Sequence, residues 1–173
     1  MRTLKIVVTG AFNAGKTTLI KTLCGRILKT DMKLSINAVK QTTTVALDFG
    51  ILRLEDKVIR LFGTPGQRRF HFMWGVLGSG MNGYILMVDT QDEESVIDAA
   101  YIYKFFRENF PEKPHVISAN KADCEKGLSE EAIREALNVP REVPVHPTIA
   151  LRKDSALELV KLLVDLIERG SGV

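Results

Sequence analysis

No uninterrupted apolar run in this chain reaches the ~18 residues that crossing a bilayer requires. Cysteine is also scarce: Cys24 and Cys124 stand in a helix-like pattern and a polar loop, without metal-ligand spacing. A disulfide framework and a thiolate metal site are therefore not expected, and reduced thiols are. Neither sign of charge dominates. With 24 Lys and Arg against 21 Asp and Glu, the formal net charge is +3. That value is too mild to call for nucleic acid; it admits an acidic partner or a transient contact with an anionic membrane surface without arguing for either. No Gly follows Met1 and no cysteine box stands at the C-terminus, so no lipid anchor is expected. Met-Arg-Thr-Leu-Lys runs straight into a strand pattern, so the expectation is a cytoplasmic protein without a signal peptide. There is no internal repeat, linker or low-complexity stretch, and 1–173 reads as one domain.

What is present is a regular alternation of apolar runs and amphipathic stretches. Strands are expected over Leu4–Thr9, Val45–Leu54, Lys57–Phe62, Gly83–Asp89, His115–Asn120 and Val145–Ala150. Most are near-continuously apolar, as strands covered on both faces are. Helices are expected over Lys16–Leu28, Arg69–Leu77, Glu93–Asn109, Ser129–Leu137 and Asp154–Arg169, with Ser129 and Asp154 as N-caps. Only Glu55 and Asp56 separate the second and third strands, which demands an antiparallel hairpin. The other connections carry helices and so imply parallel neighbours with right-handed crossovers. The expectation is a three-layer α/β domain: a six-stranded, mostly parallel sheet with one antiparallel edge strand and about five helices. Lys29–Thr43 reads as a long connection, a length that usually signals function.

"GAFNAGKTT", Gly10–Thr18, satisfies G-x-x-x-x-G-K-[ST] between an apolar strand and a helix start. In such a loop the backbone N–H groups of Asn13, Ala14, Gly15, Lys16, Thr17 and Thr18 converge on the α- and β-phosphates at a helix N-terminus. Lys16 reaches the β- and γ-phosphates, and the Thr17 hydroxyl ligates Mg²⁺. Gly10 opens the loop, and Gly15 permits close approach of the backbone. A second segment, "SANKAD", closes the fifth expected strand. Asp123 can accept two hydrogen bonds from the N1 and exocyclic N2 donors of guanine. Adenine lacks that pair and would leave the carboxylate desolvated and unpaired. The Lys121 stem covers the ring, and Asn120 ties this loop to the phosphate loop.

With these motifs the chain resembles the Ras-like small GTPases over essentially its whole length. The resemblance is nearest to the Arf branch and its prokaryotic relatives, which include the gliding-motility polarity GTPase. "AGKTTLI" resembles the Arf phosphate loop and "GYILMVDTQDEESV" the Arf fourth strand and following helix start, while "TVALDF" is similar to the Rab pattern T-I-G-V-D-F. The resemblance implies a P-loop NTPase G domain that binds GTP or GDP with Mg²⁺ and hydrolyses GTP slowly. It also implies protein effectors, an exchange factor and an activator as partners, with a roadblock-type regulator among those it admits. By the same resemblance Thr44, among Thr42–Thr44, is the switch I threonine that ligates Mg²⁺ and touches the γ-phosphate. In "TPGQ" the Gly66 N–H faces the γ-phosphate and Gln67 orients the attacking water. "TIAL" sits where the family has S-A-K, so Ala150 offers its N–H to guanine O6, and Leu151 completes the base site.

Three residues depart from the pattern. Phe12 stands beside the route by which an activator's arginine enters. Gly63 replaces the Asp that holds Mg²⁺ through water, so the metal is expected to rest on Thr17, Thr44, phosphate oxygens and water, weakly in the GDP state. Pro65 fixes a torsion just before Gly66. Arg68 or Arg69 offers an arginine in cis, set against two solvated arginines on a turn. "DFG" at Asp48–Gly50 reads as ordinary strand, His71 and His146 as isolated histidines, and "FHFMWGVL" as a face for packing or a partner. Two rivals remain. A non-hydrolysing guanine-nucleotide scaffold is motivated by Gly63 and Phe12, and a P-loop small-molecule kinase would leave N-K-x-D unexplained.

Overall fold

Apolar runs covered on both sides form the centre of a seven-stranded sheet. The computed structural model describes the backbone of residues 1–35 and 42–172, and side chains outside 30–46. In chain order the strands are β1 (Arg2–Gly10), β2 (Leu28–Ser35), β3 (Thr42–Leu54), β4 (Lys57–Gly63), β5 (Gly83–Asp89), β6 (His115–Asn120) and β7 (Val145–Thr148). The helices are α1 (Lys16–Cys24), α2 (His71–Gly78), α3 (Glu93–Asn109), α4 (Glu130–Leu137) and α5 (Lys153–Ser171). Their order across the sheet is β2-β3-β4-β1-β5-β6-β7. β3 is antiparallel to both neighbours, and all other pairs are parallel.

The expectation of six strands with one antiparallel edge strand is corrected by β2. The stretch Lys29–Thr43, read as a connection, contributes a strand that pairs with β3 from Leu28↔Phe49 to Ser35↔Thr42. Its sequence, LKTDMKLS, alternates apolar or small residues with Lys29, Asp31 and Lys33, the pattern of an edge strand rather than a buried one. The helix expected over Lys16–Leu28 ends at Cys24, because Gly25 turns the chain at φ 74° and its N–H caps the Lys21 carbonyl. Ser129 caps α4 as expected, accepting from the Ala132 N–H. Asp154 lies inside the first turn of α5, whose N-cap is Arg152.

Period-two alternation along β1 and β5 sends side chains into two cores. Leu4, Ile6, Val8, Ile85 and Met87 meet Leu19 and Ile20 of α1 and Leu159, Val160 and Leu163 of α5. Val7, Tyr84, Leu86 and Val88 meet Val96, Ile102 and Phe106 of α3 and Ile133 of α4. Each fully buried aliphatic side chain stabilises by roughly 1.5–3 kcal/mol, so these two layers fix the central strands rigidly. Their parallel register brings Gly10, Asp89 and Asn120 to one edge: Gly10 pairs with Met87, and Asp89 with Asn120. The chain leaves β1 toward β2–β4 on one side and returns for β5–β7 on the other. That reversal places the crevice where open α/β sheets bind ligands.

Candidate nucleotide site

The loop from Gly10 to Gly15 is shaped by two close approaches that exclude side chains. Gly15 has φ 105°, and a Cβ there would lie 2.3 Å from the Asn120 amide nitrogen. A Cβ on Gly66 would lie 2.4 Å from the Phe12 nitrogen. Glycine at these positions lets β6 and the turn after β4 press against the phosphate loop. Lys16 lies over that loop, its Nζ donating to the carbonyls of Gly10 at 2.8 Å and Ala11 at 2.6 Å. Burial pushes its pKa down to about 8, while the nearby Asp48 charge pulls it up. The Thr17 hydroxyl donates to an Asp48 carboxylate oxygen. Asn13 and Thr18 flank the same cleft.

Asn120 is the joint between the two halves of the site. Its Nδ2 donates to the Ala14 carbonyl at 2.9 Å, and its Oδ1 accepts from the Ala150 N–H at 3.0 Å. The expected tie between loops is therefore present, and Ala150 spends its N–H on it. Lys121, at φ 63°, forms an ion pair with buried Asp89 that holds its stem beside the loop. Thr90 and Ala122 fasten the segment further, to the carbonyls of Asn120 at 2.9 Å and Thr148 at 3.1 Å. Asp123, Ala150 and Leu151 line a cleft of about 340 Å³, and Leu151 is 80% exposed. A second cleft of about 500 Å³ runs over Lys16, Thr17, Asp48, Gly66 and Gln67. The two share Asn13, Gly15 and Thr18, so a phosphate half over Lys16 and a base half beside Asp123 would meet over one loop.

The turn after β4 is pinned more firmly than its sequence suggests. The Thr64 N–H donates to Val8 at 2.9 Å, its hydroxyl to the Thr9 hydroxyl at 2.8 Å, and the indole of buried Trp74 to the Pro65 carbonyl at 2.8 Å. Trp74 also meets Phe105 edge-on with ring centres 5.4 Å apart, so "FHFMWGVL" does pack on α3. Phe72 and Val76 stay exposed on its outer side. Gln67 Oε1 accepts from Arg69 Nε at 2.7 Å. Arg68 instead turns to α3, paired with Asp98 at 2.8 Å and lying 4.5 Å from the Tyr101 ring centre. Phe12 is 61% exposed at the mouth of the phosphate half.

The backbone of Thr42, Thr43 and Thr44 lies in β3, opposite Ser35, Leu34 and Lys33. Their side chains, and with them the choice of Thr44 as metal ligand, lie outside the described residues. Among the described residues no group of three or more His, Cys, Asp or Glu could hold a metal by itself. A hydroxyl and a carboxylate facing a phosphate-binding loop nevertheless fit Mg²⁺, which takes one or two carboxylates and completes its shell with phosphate oxygens and water. Sequence reasoning missed Asp48, which it left as mid-strand, and the Trp74–Pro65 contact. Asp48 was recoverable only through the hairpin register that sets it opposite Gly63.

Two clefts over one glycine-bounded loop, joined by an asparagine, describe a nucleotide site. The family model of the ADP-ribosylation factor (Arf) family matches residues 1–167. The chain belongs to the Arf family. It is 30% identical to an uncharacterized protein of Methanocaldococcus jannaschii, over 93% of this chain and 95% of that one. It is 25% identical to ADP-ribosylation factor-like protein 3 of Saccharomyces cerevisiae, covering 95% of this chain and 85% of the relative. The structure of the Arl6 BBS3 small GTPase from Trypanosoma brucei with bound GppNp superposes with a TM-score of 0.75 at 18% identity. It covers 97% of this chain and 99% of that one, and so matches the fold. Arf membership makes the chain a small GTP-binding protein. Among its described residues no helix is long and apolar enough to cross a membrane.

Proposed function

We propose that this Arf-family chain is a cytoplasmic guanine-nucleotide switch that hydrolyses GTP slowly and exchanges partner surfaces between its GTP and GDP states. The observation that supports the reading is the Asn120 joint, which ties the segment bearing Asp123 to the loop bearing Lys16, each beside one of two adjoining clefts. In this reading the N–H groups from Asn13 to Thr18 and the Lys16 ammonium hold the phosphates. Asp123 takes the two guanine donors, and Lys121 covers the ring. Leu151, whose backbone follows Ala150 at the cleft edge, joins Ala150 around guanine O6. Thr17 and Thr44 hold Mg²⁺, which when bound offsets charge on the phosphate oxygens.

For hydrolysis, Gln67 orients a water in line with the γ-phosphorus. The water oxygen bonds to phosphorus and gives a proton to a phosphate oxygen, the bond to the β–γ bridging oxygen breaks, and GDP and phosphate result. Without a cation supplied at the transition state, an unassisted site of this kind runs on the order of 10⁻⁴ s⁻¹, and Gln67 has in addition to leave Arg69. γ-Phosphate contacts to Thr44 and to the Gly66 N–H order the flanking segments, and their loss on hydrolysis releases them. Effectors, an exchange factor and an activator, including one of roadblock type, are the partners this reading calls for. The exposed Phe72 and Val76 beside that turn supply apolar surface for them. Single-turnover hydrolysis of GTP tests the reading. Slow release of phosphate, nearly abolished in Gln67→Ala, supports it; tight GTP binding with no release at all would make the chain a scaffold.

A further inference from the structure

Gly63 stands where the family pattern places a metal-supporting Asp, yet the space around it already holds a carboxylate. Gly63 and Asp48 are direct partners across the antiparallel β3–β4 pair. Directly opposed residues in such a pair project to the same face of the sheet. A Cβ built on Gly63 lies 3.2 Å from the Asp48 Cβ and 3.2 Å from Ile20 Cδ1. Such distances leave little room for a second acidic side chain, so carboxylates at 48 and 63 would compete for one place. The Asp48 side chain reaches from there to the first turn of α1 and accepts the Thr17 hydroxyl proton. It also faces the phosphate half of the cleft beside Lys16.

We propose that Asp48 supplies from β3 the carboxylate that supports Mg²⁺ in this chain, in place of the one that Gly63 lacks. Accepting the hydrogen bond from Thr17 points an oxygen lone pair of that hydroxyl away from the carboxylate, as a ligand to a hard cation must be pointed. The second carboxylate oxygen remains to hold a water of the metal's shell. Partners that orient a ligand in this way are commonly worth 10–100-fold in metal affinity. On this proposal the metal rests on Asp48 as well as on the threonines, phosphate and water. Gly63 becomes the complement of Asp48: the strand that gives up its side chain makes room for its neighbour's.

The inference rests on the guanine-nucleotide reading, and the test separates the two. Release of the fluorescent nucleotide mant-GDP is followed in millimolar Mg²⁺ and in excess EDTA for wild type, Asp48→Asn and the swap Asp48→Ala/Gly63→Asp. Wild type should release mant-GDP about 10-fold or more faster in EDTA, Asp48→Asn should differ by no more than about 2-fold, and the swap should recover most of the difference. Release in EDTA should be alike in all three, because the base and phosphate contacts are intact. An Asp48→Asn protein with the full wild-type response to EDTA overturns the inference while leaving the nucleotide reading in place. So does a folded swap that shows none, which decides the matter even where Asp48→Asn fails to fold. Wild type that holds no mant-GDP in either buffer overturns both.

Discussion

Replacing Asn120 by Ala removes two buried hydrogen bonds at once, the 2.9 Å bond to the Ala14 carbonyl and the 3.0 Å bond from the Ala150 N–H. Each buried partner left unsatisfied costs about 1–3 kcal/mol unless water reaches it. Asn120 is 3% exposed, Ala14 fully buried and Ala150 4% exposed, so little water arrives without local opening. Two such partners make roughly 2–6 kcal/mol, divided between folding and nucleotide binding. For a chain of this size each kcal/mol shifts Tm by about 2–4 °C. Melting should therefore fall by several degrees, and the rest of the loss should appear as weaker binding of GDP and of GTP alike. Equality between the two nucleotides is the specific part, because neither bond faces the γ-phosphate. Asn120→Asp should do no better than Ala, since a carboxylate offers no donor to the Ala14 carbonyl. Thermal melts with and without nucleotide, together with mant-nucleotide titrations, measure both portions. Unchanged affinity and Tm in Asn120→Ala would refute the idea that this residue joins the two halves, and so would a loss confined to GTP.

Other outcomes follow from the same geometry. Lys16, with its pKa pushed down to about 8 by burial, gains an anionic partner when phosphate binds. The complex then holds more protons than the free protein above that pH, so affinity is full below about 8 and falls as pH rises. Between pH 7 and 8.5, before guanine itself titrates, GDP affinity should drop about fourfold in titration calorimetry; a flat profile would contradict a buried ammonium at the phosphates. Arg68→Ala should leave single-turnover hydrolysis within about twofold, because this guanidinium is spent on Asp98 and Tyr101; a loss beyond tenfold would bring it into the site. Trp74→Phe strands the Pro65 carbonyl and should cost about 1–3 kcal/mol of stability by urea melts, with no loss meaning that the indole bond does not pin the turn.

Much of this site was legible in the chain because its parts are local. A phosphate loop is nine consecutive residues whose glycines and lysine have fixed jobs, and N-K-A-D is four more at the end of an apolar strand. The hairpin at Glu55–Asp56 was equally plain. What escaped notice depends on contacts between distant segments. β2 was hidden because its alternation of Lys29, Asp31 and Lys33 with apolar or small residues has low mean hydropathy, and a search for continuous apolar runs passes over an edge strand. Asp48 looked idle because its partners lie 15 and 31 positions away, at Gly63 and Thr17, and only register unites them. Ala150 lines the cleft, but the N–H that the resemblance gives to guanine O6 is engaged by Asn120, a contact between segments 30 residues apart. The two arginines could not be told apart until α3 supplied Asp98 and Tyr101 to one of them and Gln67 accepted from the other.

The central claim is that one cleft reads guanine through Asp123 and a phosphate chain through Lys16. Competition against mant-GDP by GTP, GDP, ATP and xanthosine triphosphate, on wild type and Asp123→Asn, tests it most directly. Wild type should bind GTP and GDP and ignore ATP. Asp123→Asn should lose about 3–5 kcal/mol for GTP, the cost of unmaking two charge-assisted hydrogen bonds, and should gain xanthosine triphosphate because an amide donates where the carboxylate accepts. Wild type that binds ATP as well as GTP, or an Asp123→Asn protein whose GTP affinity is unchanged, would contradict it.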